Sequence, residues 1–79
     1  MTASKIDEAE QKRIALNLLL DAWDEALDQG VLPEILATTA IYTALTDMVE
    51  THGEEPVAEL FADLPRRIRS GEFTLRKPL

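Results

Sequence analysis

Residues 14–29 read IALNLLLDAWDEALDQ, and a glycine follows at position 30. Projected at ~100° per residue, Arg13, Asn17, Asp21, Asp24, Glu25 and Asp28 fall within an arc of roughly 120°. Leu16, Leu18, Leu19, Leu20, Trp23, Leu27 and their alanine neighbours fill roughly 200° of the rest, where a surface helix needs a stripe of little over ~100°. The stretch is therefore a helix with more apolar surface than one partner helix covers. Ahead of it, Ser4 offers a capping hydroxyl and Asp7, three residues on, places an acid at the positive helix end. These signals predict a first helix over about 5–29, ended by Gly30 in a left-handed conformation.

Outward from that helix, Pro33 suits the first turn of a second, because its missing N–H has no intrahelical partner there. The second helix is expected over 33–52, stopped by Gly53. It sets Ala37, Ile41, Ala44, Leu45, Met48 and Val49 on one side, Thr39, Thr43, Thr46, Asp47 and Glu50 on the other, and Tyr42 at the border. The short link Gly30-Val31-Leu32 predicts an antiparallel hairpin. A shorter third helix over about 55–70 carries Val57, Leu60, Phe61, Leu64 and Ile68 on one face, with a kink or restart at Pro65. Gly71 ends it, and Glu72 to Leu79 reads as an extended tail. The expected class is all-α: one helical domain over 1–79, with 1–4 and 74–79 flexible.

Size sharpens the question of what covers the first helix. A 79-residue chain buries only about 60% of the surface its unfolded form exposes. Small domains compensate with disulfides, a metal or oligomerisation. The sequence has no cysteine, which removes disulfides and thiolate metal sites. Oligomerisation is left, and a homodimer is expected, with Leu16, Leu19, Leu20, Trp23 and Leu27 as the interface. Trp23 suits an interface anchor, although its position suits a core equally well. The competing arrangement is a monomeric three-helix bundle closed by the segment after Pro65.

Charge divides the chain. Residues 1–63 hold three basic and fourteen acidic side chains, a balance of −11, and residues 64–79 hold five basic and one acidic, a balance of +4. Arg66, Arg67 and Arg69 form a possible partner-binding cluster, either for a protein or for nucleic acid phosphates. Three cations at a helix C-terminus are also what the macrodipole favours, and the acidic body disfavours nucleic acid. The stripe Asp21, Asp24, Glu25, Asp28 lacks the looped, glycine-turned geometry of a calcium site and reads as a solvated face. His52, the single histidine, lies near Asp47, Glu54 and Glu55; one imidazole at the negative end of a helix needs no catalytic explanation. There is no glycine-rich phosphate loop and no spaced nucleophile–base set. No catalytic residue, metal or cofactor is expected.

No apolar run reaches the ~18 residues of a membrane span, and Met1 to Asp7 lacks the pattern of a signal peptide. The expectation is a cytoplasmic, non-enzymatic helical protein that self-associates and acts as a protein-interaction module. The alternative from another class is a small DNA-associated regulator using the C-terminal arginines. Phe73 and Leu75 either dock on a partner or fold back on their own chain.

Overall fold

A computed structural model describes residues 6–75. It is all-helical, with α1 over Glu8–Asp28, α2 over Pro33–His52, α3 over Glu54–Leu60 and α4 over Leu64–Arg69. Together α3 and α4 are the expected third helix, bent in its middle. The chain divides into two compact units, Met1–Ala40 and Ile41–Leu79, so the boundary falls inside α2.

In the first unit, α1 begins later than the sequence suggested. Ser4 lies outside the described residues, and the cap is Asp7: its backbone is extended and its carboxylate accepts the Glu10 N–H at 2.8 Å. Asp7 was expected to favour the helix from inside the first turn; it closes the end instead, because a carboxylate satisfies an orphan N–H directly. Glu8 and Glu10 then occupy the positive end, with Lys12 paired to Glu8 at 3.0 Å and Arg13 to Glu10. Both pairs have the spacing at which helical side chains meet.

The other end of α1 closes as expected at Gly30, whose φ is 95°. The Gly30 N–H donates to the Leu27 carbonyl at 3.0 Å and the Val31 N–H to the Ala26 carbonyl at 3.1 Å. This paired 5→2 and 6→1 arrangement satisfies two terminal carbonyls and needs a left-handed residue at its centre. Pro33 then opens α2. The least exposed apolar side chains of this unit are Trp23 and Ala26 on α1 and Leu36, Ala37 and Ala40 on α2, all half-buried.

In the second unit, α2 ends at His52 and Gly53 turns the chain with φ 90°. Val57 is the one buried residue among those described, at 6% exposure. Met48, Val49, Phe61 and Leu64 are half-buried. Pro65 sits in the first turn of α4, and the break falls before it, at Phe61–Asp63. An unbroken helix would need a Pro65 N–H to Phe61 and would press the ring on that carbonyl. Here the Leu64 N–H takes the Phe61 carbonyl at 3.0 Å and the chain restarts. The restart corrects the expected single face: Val57, Phe61 and Leu64 turn inward, whereas Leu60 and Ile68 are exposed.

At the start of the tail, Glu72 and Phe73 continue a turn, and Thr74 and Leu75 follow without helix or strand. Gly71 has φ 90°, its N–H donates to the Ile68 carbonyl, and the Glu72 N–H reaches the Arg67 carbonyl at 3.3 Å. This is the same terminator that closes α1. Residues 76–79 of the expected tail lie outside the described part.

Candidate association surface

The two long helices leave large apolar side chains in water. On α1, Leu18 and Leu19 are 64% and 63% exposed, and Leu16 and Leu20 more than half exposed. Leu27 is only just exposed, at 38%. Of the expected interface residues, then, Leu16, Leu19 and Leu20 stand open, Leu27 is marginal, and Trp23 is half-buried. Leu18 belongs with the open group, although the sequence reading left it out.

On α2 the sequence reading set Ile41 and Leu45 on one apolar side. Ile41 is 60% exposed, Leu45, at 37%, only just exposed, and Tyr42 beside them 75% exposed. The reason is visible in the composition of the helix: Ile35 to Thr46 contains no charged residue. With no strongly polar side for reference, helical projection cannot say which apolar side is covered. Two threonines, Thr38 and Thr46, bond back to their own helix. The Thr38 hydroxyl donates to the Glu34 carbonyl at 2.9 Å and the Thr46 hydroxyl to the Tyr42 carbonyl at 2.8 Å, which turns their polar groups onto their own helix. Tyr42, Leu45, Thr46, Val49 and Glu50 line a shallow depression on this helix. These α2 side chains are the functional candidates that sequence reasoning missed.

The arginine cluster is largely engaged inside the chain. Arg66 Nε donates to Asp63 at 2.8 Å, and Arg67 Nε donates to Glu72 at 2.8 Å while its guanidinium stands 5.5 Å from the Phe73 ring centre. A second guanidinium contact completes each pair, the fork-to-carboxylate geometry favoured by arginine. The guanidiniums hold the Asp63 and Glu72 carboxyls below their ordinary range, Asp63 through Arg66 and Glu72 through Arg67, and the arginines are raised in return. Arg69 has no ion-pair partner among the described residues. Phe73 thus meets Arg67 of its own chain but stays 55% exposed, and Leu75 is fully open.

The remaining polar candidates are not brought together. Asp21, Asp24, Glu25 and Asp28 are exposed along α1, with Glu25 accepting from the Gln29 amide at 2.9 Å. His52 lines an apolar groove of about 220 Å³ with Met48, Pro56, Val57 and Leu60. No group of three His, Asp or Glu side chains able to hold a metal occurs among the described residues. No helix among them is long and apolar enough to cross a membrane. Comparisons with family models, curated proteins and solved structures find no match.

Proposed function

We propose that this chain is a small non-enzymatic helical protein of the cytoplasm that associates with a second copy of itself and works as a protein-interaction module. The observation that carries this reading is the open leucine face of α1: Leu16, Leu19 and Leu20 are all more than half exposed. Burial of apolar surface yields ~25 cal/mol per Å², and contiguous patches of this kind mark interaction sites. A partner that must always be present to cover such a surface is most simply another copy of the chain.

Light scattering on the purified full chain tests the reading. The expected result is a dimer at tens of micromolar that dissociates on dilution. A monomer at that concentration overturns it. Trp23→Ala gives a second check: loss of this half-buried side chain is expected to lower the thermal midpoint and weaken the dimer. Unchanged mass and midpoint would remove Trp23 from any interface role.

A further inference from the structure

The groove beside His52 and the open side chain of Leu75 belong to one unit, Ile41–Leu79, and their surroundings carry opposite charge. Met48, Pro56, Leu60 and the buried Val57 give the groove an apolar lining. The chain that supplies its walls, from 47 to 60, holds Asp47, Glu50, Glu54, Glu55 and Glu59, all exposed, and no lysine or arginine. None of these five acids is in an ion pair among the described residues. Of the unit's other described charges, Asp63 is paired with Arg66 and Glu72 with Arg67, which leaves Arg69 on α4. The surface that borders the groove therefore has an uncompensated negative charge.

Leu75 presents the complement. It is 99% exposed, so it is not seated on its own chain. Arg76 and Lys77 follow it directly, and no acid stands between Leu75 and Leu79. A leucine in an apolar groove leaves water, while cations beside it meet the rim carboxylates, which steer and orient a contact more than they strengthen it. We infer that Leu75, with the charges of Arg76 and Lys77 behind it, seats in the Met48–His52–Val57–Leu60 groove of a second copy of the chain. A two-fold axis makes the exchange reciprocal, each copy giving one leucine and receiving one. This rests on the self-association proposed above and adds a second contact to the α1 face.

The absence of cysteine lets a single spin label read the contact with the groove left intact. One full chain carries a nitroxide on Thr74→Cys, an exposed position beside Leu75, and a wild-type chain carries ¹⁵N. Circular dichroism first confirms that each labelled variant keeps its helices, and the two chains are then mixed and allowed to exchange. Only the ¹⁵N chain is observed and only the other holds the nitroxide, so contact within one chain cannot contribute. The amides of Met48, His52, Val57 and Leu60 are expected to lose intensity and to recover it when the nitroxide is reduced. Leu75→Ser in the nitroxide chain is expected to abolish that loss, and Arg76→Glu with Lys77→Glu to abolish it independently. No loss at these amides in a protein that scatters as a dimer, or a loss that survives both variants, overturns the contact and leaves self-association standing. Monomeric wild-type protein overturns both.

Discussion

The segment from α3 to Phe73 and the two long helices solve the problem of stability in opposite ways. The first is thirteen helical residues in two pieces, too short to persist alone. It is held by local devices: a glycine terminator, two arginine–carboxylate pairs, a guanidinium over an aromatic ring, and the one buried side chain, Val57. Of the long helices, α1 is closed by the Asp7 carboxylate and the turn at Gly30, yet both leave leucines, isoleucine or tyrosine in water. Both regions leave apolar side chains in water, Leu60, Ile68 and Phe73 in the first, so the difference lies in the buried Val57 and the Arg67–Glu72 pair that hold the first together. Polar satisfaction and apolar burial are separate requirements, and a helix can meet the first completely without the second.

The contrast is broken most severely by a charge in the open face. Leu20→Asp places a carboxylate where a partner's apolar surface should sit, and it is expected to weaken the dimer at least ~100-fold. Ile68→Asp, equally exposed but on α4, is expected to leave the association unchanged; sedimentation of the two variants side by side decides. An equal loss for both would erase the distinction between the regions.

Two substitutions probe local stability. Val57→Ala removes two methyl groups from the buried position and is expected to cost about 1.5 kcal/mol, read by thermal melting at fixed protein concentration. No loss would mean that the second unit has no core even at this point. Gly30→Ala forces a side chain into the left-handed region at φ 95°, with an expected cost of about 1–2 kcal/mol. Because the hairpin turn belongs to the first unit, its loss should appear in amides near 27–31 before those near 57.

The smallest expected effect is that of pH on the C-terminal turn. Asp63 and Glu72 have folded pKa values below their ordinary 3.8 and 4.5. Their pairing stabilises the fold fully above those ordinary values, and the contribution is lost as pH falls through the lower folded values. Both pairs are solvent-exposed, so the change is minor. Arginine Nε–H resonances of Arg66 and Arg67 should shift together in that acidic window, and Asp63→Asn should remove the shift of Arg66 alone.

Much of the fold was readable because its signals are local. Gly30, Gly53 and Gly71 each announce a termination that only a left-handed residue makes, and Pro33 announces a helix start. The start of α1 was misplaced because Ser4 and Asp7 are both competent caps, and spacing alone does not choose between them. The association face was only half legible. The acidic stripe on α1 marks by contrast where its apolar face lies, so Leu16, Leu19 and Leu20 could be named. Between Ile35 and Thr46 no such contrast exists, so the openness of Ile41 was not legible. The Arg67–Glu72 pair was missed for another reason: five residues is not a helical spacing, and only the turn at Gly71 brings the two together.

That turn chemistry at Gly30 has a consequence for handedness. An L-configured Cβ added there meets nothing within 4 Å beyond its chain neighbours, so what opposes it is the backbone conformation. A residue of mirror-image configuration adopts positive φ without strain. In a chain of 79 residues, within reach of chemical synthesis, D-alanine at position 30 should raise stability by about 0.4–1 kcal/mol by narrowing the unfolded ensemble. L-alanine at the same place lowers it. Two molecules of identical composition would then differ in stability only through the chirality of one atom.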